Sequence, residues 1–250
     1  MLPTLQIGPL ALPVSGLVIL VGFWIALSMC ERRAVQQGIS SNNYYNLVLL
    51  SLGTGVIGAR LIYVIQYPSA FQASPISLLS INPSLFDPIG GVVIGLLAGI
   101  AYGQRKHIPL WSILDILTPG LAVMGIAIGL SHLASGVAFG KPTQLPWGIA
   151  LWGENRHPSQ VYETILAGLI LAMVLVLEKR EPAWPAGVIF WIFIGMTAAS
   201  HLFLGAYRGD SIIILGEFRQ DQLLAWIILA ISLFGMYKRM GSSTRQETPV

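Results

Sequence analysis

The sequence predicts an all-α fold, a polytopic membrane bundle of seven transmembrane helices. Of the 250 residues, 54% are hydrophobic and only 10% are charged, whereas about a quarter of the residues in a soluble domain are charged. Seven apolar stretches approach the length that crosses a bilayer. The basic residues also separate unequally between the two sides of such a bundle. Together these observations indicate an integral membrane protein.

The seven stretches are separated by shorter polar segments. Glu31-Arg32-Arg33 follow the first stretch, with no small-residue cleavage site, so we interpret it as a membrane anchor and not as a secretory signal. We predict one transmembrane domain over residues 1–240 and a polar cytoplasmic tail over residues 241–250. The predicted spans are about Leu12–Cys30, Tyr44–Tyr67, Ile89–Tyr102, Leu110–Leu133, Ser159–Leu177, Trp184–Tyr207 and Leu223–Tyr237.

The basic residues orient this bundle, because cytoplasmic loops carry an excess of Lys and Arg. Nine share one side of a seven-span arrangement: Arg32, Arg33, Arg105, Lys106, Lys179, Arg180, Lys238, Arg239 and Arg245. Four share the other side: Lys141, Arg156, Arg208 and Arg219. We therefore predict an N-terminus outside and a C-terminus in the cytoplasm.

Composition argues against two classes of protein. A single cysteine, Cys30, excludes an internal disulfide framework. The formal net charge of +3 comes from basic residues in short loops between apolar spans, so it does not indicate a nucleic-acid partner. The spacing Gly91-x3-Gly95-x3-Gly99 instead predicts close packing between helix backbones.

The ten residues Glu154–Glu163 are the leading candidate for a functional site. They form the densest polar run of the chain and open directly onto an apolar span. Pro158 suits a first helical position, where its missing N–H costs nothing, and Gln160 and Glu163 then share a helix face. Polar groups that enter a bilayer usually face the protein interior or a wet cavity. A helix start anchored at the lipid headgroups is the alternative.

Other polar side chains lie near the predicted outer ends of spans. Arg60 must pair with a carboxylate, a carbonyl or a lipid phosphate, and a purely structural pairing with Glu163 is equally open. His132, His157 and His201 can each exchange protons near neutrality, although a histidine within a membrane is often a packing residue. Their spacing does not support a zinc site, and we predict neither a metal nor a cofactor.

The string Arg156-His157-Pro158-Ser159-Gln160-Val161-Tyr162-Glu163 resembles the signature of the bacterial prolipoprotein diacylglyceryl transferases. Gly58–Val64, the paired glycines at 90 and 91, and Gln222 fit the same pattern. The resemblance implies a seven-span enzyme of the bacterial inner membrane. Such an enzyme moves the diacylglyceryl group of phosphatidylglycerol to a lipobox cysteine thiol and releases glycerol phosphate.

The chain departs from the family pattern at several positions. Ile89 stands where the family has a histidine, and Gly129 stands where it has an arginine. Its asparagines correspond to His132 and Ser135. Its outer arginine and glutamate of the sixth span correspond to His201 and Gly205, and its Tyr-Gly of the first span appears as Ser15-Gly16. Removing one charge-stabilising group costs about two to three orders of magnitude in rate.

Two functional hypotheses follow. In the first, the chain is a transferase that uses His157, His132, His201 and Glu163 in catalysis. Its lipid ligands are Arg60, Arg156, Gln160 and Arg208, and its partners are phosphatidylglycerol or another anionic phospholipid and a prolipoprotein. In the second, the chain binds lipid without catalysis or serves as a structural subunit beside other membrane proteins. The departures predict lipid binding with little transfer.

Overall fold

Seven helices of 18 residues or more make up most of the chain that the structure describes. The structure is a computed structural model that describes residues 4–8, 10–73, 76–77, 80, 82–180, 184–210, 213–214 and 218–244. The helices, with the short α3, are α1 Val14–Gln36, α2 Ser41–Gln66, α3 Pro68–Ala73, α4 Pro88–Arg105, α5 Leu110–Ser135, α6 Ser159–Glu178, α7 Val188–Tyr207 and α8 Gln220–Thr244.

Six of the long helices in the described residues are apolar and long enough to cross a membrane. The exception is α4, which has 18 residues and includes Pro88, Gln104 and Arg105. Its bounds correspond to the predicted third span. The all-helical membrane class is therefore confirmed, and the chain is a multi-pass membrane protein.

Helix ends differ from the sequence-based bounds for local reasons. Pro158 is the capping residue before α6 and not its first helical residue, because its ψ of 63° lies outside the helical region. Pro185 and a left-handed Gly187 precede α7, so this helix begins four residues after the predicted start. Residues 241–244 continue α8, and the rest of the predicted tail, 245–250, lies outside the described residues.

The chain divides into two compact units. Unit 1 comprises Met1–Cys30 and Leu114–Val250. Its core packs side chains of α5, α6 and α7 around Val174, which is fully buried. The other buried side chains of this core are Ala122, Ile170, Ile189 and Phe193. Lipid tails are as apolar as these side chains, so the helices associate here through close van der Waals packing and not through escape from water. This core holds three helices together beneath their polar ends.

Unit 2 comprises Glu31–Ile113 and is built on contact between α2 and α4. A Cβ at Gly95 would lie 2.7 Å from the carbonyl oxygen of Ser51, and one at Gly91 would lie 2.9 Å from that of Gly55. Only glycine permits this approach without displacing backbone. The prediction that the glycine spacing of α4 allows close packing is thus confirmed.

The described residues include three antiparallel hairpins that we did not predict from the sequence. They pair β1 Thr4–Ile7 with β2 Leu10–Pro13, β3 Ile149–Leu151 with β4 Glu154–Arg156, and β5 Ile213–Ile214 with β6 Phe218–Arg219. In the second hairpin, a two-residue loop joins paired Leu151 and Glu154. Both loop residues, Trp152 and Gly153, have positive φ, as a type I′ turn requires. This hairpin leads the polar motif into α6.

Candidate functional site

The polar ends of α5, α6 and α7 in unit 1 are joined by one extended segment, residues 139–142. The His157 N–H donates to a carbonyl of this segment at 3.0 Å, and the Gly209 N–H donates to another at 2.9 Å. Gly140 forms an antiparallel bridge with Arg208. A Cβ at Gly140 would lie 2.3 Å from the carbonyl oxygen of His157, so glycine is needed at this approach. The segment therefore fixes the motif of α6 beside the end of α7.

The structure brings His132 and Glu163 into direct contact. The Nδ1 of His132, in the last turn of α5, lies 2.8 Å from Oε2 of Glu163 in α6. The side chains are 28% and 15% exposed, so the pair is partly sheltered. One helical turn earlier, a Cβ at Gly129 would lie 2.5 Å from Oγ1 of Thr164. Because Gly129 lacks a side chain, α5 and α6 can approach closely enough to form the pair.

His157 lies in an aromatic groove. Its Nδ1 is 3.5 Å from the Tyr162 hydroxyl, and its ring centroid is 5.1 Å from that of Tyr207. Trp147 Nε1 donates to the same hydroxyl at 2.9 Å. The groove has a volume of about 520 Å³, and Leu145, Ile165, Leu166 and Phe203 complete its lining. It is suited to an apolar occupant with one or two polar atoms near the histidine.

Arg156 is engaged within its own hairpin region. Its Nη2 lies 2.6 Å from Oε2 of Glu154, and its Nη1 donates to the carbonyl of Gly140 at 3.3 Å. The guanidinium also lies over the ring of Phe139, 4.9 Å from the centroid. An anion at Arg156 would have to compete with the Glu154 carboxylate.

Arg208 forms a two-bond ion pair with Asp210, at 2.9 Å through Nε and 3.0 Å through Nη2. The hydrogen bond to Asp210 raises the pKa of Arg208, and the negative charges of Asp210, Glu163 and Asp221 raise it further, against the opposing effect of partial burial. Arg208 is thus a permanent cation in the electrostatic field of the His132–Glu163 pair. Arg219 donates to the carbonyl of Arg208 at 2.7 Å and so fixes its backbone.

A cleft of about 400 Å³ lies between α7 and α8. His201 and Arg208 line it with Thr197 on α7 and Asp221 on α8. Aliphatic side chains form its walls: Ile194, Ala198, Leu224, Ala225 and Ile228. The cleft combines a cation near its helix-end mouth with a histidine about two turns deeper. This arrangement matches an amphiphile with an anionic headgroup and a hydrocarbon tail.

Two predicted lipid ligands are occupied by backbone groups. Gln160 is fully buried, and its Nε2 donates to the carbonyl of Val137 at 2.9 Å. Arg60 lies in unit 2, where it donates to the carbonyls of Leu85, at 2.6 Å, and of Ser77. Its guanidinium also lies 5.2 Å from two aromatic ring centroids, those of Phe71 and Phe86. A pairing of Arg60 with Glu163 would join the two units and stays a prediction.

Two positions where the resemblance led us to expect a charged side chain, Gly205 and Gly129, have no room for one beyond the Cα. A Cβ at Gly205 would lie 2.6 Å from Cγ of Gln222, so the side chain of Gln222 fills that space. Thr164 likewise fills the space that a side chain at position 129 would need. Sequence reasoning assigned no individual role to four residues of the site: Thr197, Asp210, Asp221 and Tyr162. Only Tyr162 carried a signal, since it belongs to the motif.

Comparisons with known proteins agree with these observations. The family model for prolipoprotein diacylglyceryl transferase matches residues 3–238. A phosphatidylglycerol–prolipoprotein diacylglyceryl transferase of Geobacter sulfurreducens is 31% identical over 238 residues, which cover 91% of each chain. A protein of the same name from Synechococcus elongatus is 29% identical over 252 residues, covering 94% of this chain and 86% of the relative. A third, from a Nostoc species, is 26% identical over 246 residues, covering 92% and 86%.

The match extends over nearly the whole chain and includes the helices that carry His132, Glu163 and Arg208. It therefore covers both the fold and the polar helix ends of unit 1. The chain belongs to the prolipoprotein diacylglyceryl transferase family.

Proposed function

We propose that this chain transfers the diacylglyceryl group of phosphatidylglycerol to the thiol of a lipobox cysteine. The thiolate attacks the glyceryl carbon that bears the phosphate, so that a C–S bond forms while the C–O bond to the phosphate breaks. Glycerol phosphate leaves with the electron pair. Two tasks follow for the protein, which must remove the thiol proton and stabilise negative charge on the phosphate.

The observation that carries this proposal is the contact between His132 and Glu163. With Nδ1 held 2.8 Å from the carboxylate, the imidazole is oriented and its second nitrogen, Nε2, is left to accept a proton. A carboxylate in this position also stabilises the imidazolium that forms. The pair supplies a general base without the family's histidine, whose position Ile89 occupies. We assign His157 to the groove that receives the apolar part of a substrate.

The cleft between α7 and α8 supports the phospholipid end of the proposal. A phosphate at Arg208 would lie at the mouth, with acyl chains against the aliphatic walls. Arg208 keeps its charge at every physiological pH, as arginine does in proteins generally, and its hydrogen bond to Asp210 raises its pKa further. His201 adds a donor deeper in the cleft, where the ester groups of a lipid would lie. Arg156 and Arg60 are secondary candidates, because neither lines this cleft. The Arg208 guanidinium is itself paired with Asp210, so a phosphate there would have to compete with that carboxylate.

Purified protein in nanodiscs tests this function directly. We expect labelled diacylglycerol to pass from phosphatidylglycerol to a lipobox peptide and not to the same peptide with serine in place of cysteine. His132→Gln should lower kcat by about 10²–10⁴-fold, the usual contribution of a general base. Lipid binding without transfer by the unmodified protein would support the non-catalytic alternative.

We further propose that α4 also crosses the membrane, which brings the number of spans from six to seven. We also propose that the N-terminus lies outside the inner membrane of a bacterium. The close packing of α4 along α2 supports the first statement, and the nine-to-four distribution of basic residues supports the second.

Single cysteines in a Cys30→Ala background test this topology. In intact spheroplasts, an impermeant maleimide should label Lys141→Cys, and it should label Lys106→Cys only after the membrane is opened. The reverse pattern would overturn this topology, since it results either from an inverted bundle or from an α4 that does not cross the membrane. Labelling of both positions from outside would overturn the span count.

A further inference from the structure

The turn that follows α5 has a left-handed backbone at two residues. Gly136 has a φ of 75°, and Ala138 has a φ of 55°. Glycine adopts this conformation readily, but a residue with a Cβ does so at an energetic cost. Ala138 is also 4% exposed. Its conformation therefore depends on contacts from the surrounding structure.

Two buried side chains at the start of α6 hold this turn. The Ser159 hydroxyl donates to the carbonyl of Ala138 at 2.6 Å, and the Gln160 amide donates to the carbonyl of Val137 at 2.9 Å. Ser159 is 2% exposed, and Gln160 is 0% exposed. Neither side chain can touch a substrate from there. Each satisfies a main-chain carbonyl that would otherwise lack a partner in a water-poor environment.

The turn lies between the two parts of the proposed reaction site. On its N-terminal side, the last turn of α5 carries His132, the partner of Glu163. On its C-terminal side the segment 139–142 pairs with His157 and bridges to Arg208. A change in the turn alters the separation of the proposed base from the proposed phosphate ligand. Misplacements of about 1 Å can cost roughly a hundredfold in rate.

We propose that Ser159 and Gln160 are positioning residues that clasp the left-handed turn 136–138 and so set the geometry of the reaction site. The proposal rests on the transferase function argued above. It assigns Gln160 to positioning the turn and not to lipid binding. It assigns Ser159 to the same task, although the sequence predicted no role for Ser159.

A second-site suppressor tests the clasp, by which we mean the hydrogen bonds from Ser159 and Gln160 to the turn 136–138. Ser159→Ala removes the hydrogen bond to Ala138 and allows the turn to leave the left-handed conformation. We expect kcat to fall about ten- to a hundredfold, with a smaller change in KM. Ala138→Gly removes the cost of the left-handed conformation. Combined with Ser159→Ala, it should therefore restore kcat to within about threefold of the unmodified protein.

Hydrogen exchange of a peptide covering residues 134–146 supplies a readout that does not need activity. Ser159→Ala should speed exchange there, and the added Ala138→Gly should slow it again. Ser232→Ala is the matched control, since Ser232 is 1% exposed and its hydroxyl donates to a carbonyl of α8 at 2.7 Å. That control should change neither the exchange of this peptide nor kcat.

Each result has a distinct meaning. Unchanged exchange in Ser159→Ala would overturn the clasp. A loss of kcat that Ala138→Gly does not reverse would overturn the positioning role. If the unmodified protein transfers no lipid while the exchange results are as expected, the proposed function fails and the clasp itself is supported.

Discussion

At the scale of single residues, a missing side chain creates the candidate base. Gly129 has no Cβ, which lets α5 approach Thr164; the family resemblance led us to expect an arginine at this position. One turn further along α5, His132 then lies 2.8 Å from Glu163, the residue that precedes Thr164 in α6. The sequence alone predicted both residues as candidates but not their contact. That contact depends on an interhelical distance, which spacing along one chain does not determine.

The partners of Arg60 likewise could not be identified from the sequence. Its depth in an apolar span predicted that it must have a partner, and it has carbonyls and two aromatic rings. The sequence could not choose among carboxylate, carbonyl and lipid phosphate, because the loop that supplies the carbonyls is distant along the chain.

We expect Asp210→Asn to strengthen the binding of phosphatidylglycerol. Arg208 now shares its guanidinium with Asp210 through two hydrogen bonds. Neutralising that carboxylate leaves a charge for a phosphate and should lower the Kd by about three- to tenfold. Glu154→Gln, which releases Arg156 in the same way, is the matched comparison and should change the Kd by less than about twofold. Binding of a short-chain lipid to protein in detergent measures both. A larger gain in Glu154→Gln would move the phosphate site to Arg156.

At the scale of elements, the helices were the predictable part. Apolar length set their existence, and most ends fell within a few residues of the expected bounds. The hairpin β3–β4 was not predictable as such, because its turn places the non-glycine Trp152 at positive φ. It lacks the Asn-Gly or Asp-Gly signal that identifies such turns in a sequence.

One element depends on a carboxylate from another helix. Asp115 on α5 is 5% exposed and accepts hydrogen bonds from Gly187 N–H at 2.5 Å and Phe190 N–H at 2.9 Å. Asp115 therefore caps the start of α7, because the cap residue of that helix, Gly187, has no side chain to accept a hydrogen bond.

We expect Asp115→Ala to destabilise the protein by about 2 kcal/mol, because it leaves buried main-chain donors without a partner. Thermal unfolding in detergent measures the change. Ser40→Ala is the control, since it removes an exposed cap with a 3.3 Å hydrogen bond and should cost less than about 1 kcal/mol. Equal losses from the two changes would show that Asp115 contributes no more than a surface cap.

At the scale of the whole molecule, composition and apolar length were sufficient to predict a multi-pass helical membrane protein. The motif Arg156–Glu163 correctly indicated the family. The geometry of the proposed site needed the structure, because it depends on contacts between three segments: the end of α5, the start of α6 and the end of α7.

The central claim is that His132 and Glu163 act as one unit in removing the thiol proton. A double-mutant cycle on the transfer rate tests it most directly, with His132→Gln, Glu163→Gln and the double variant compared at saturating phosphatidylglycerol. Residues that act as a unit lose nearly the same rate singly and together. We therefore predict that kcat falls by a similar factor, at least about a hundredfold, in all three variants. Losses that multiply in the double variant, or a Glu163→Gln protein that transfers at the unmodified rate, would contradict the account.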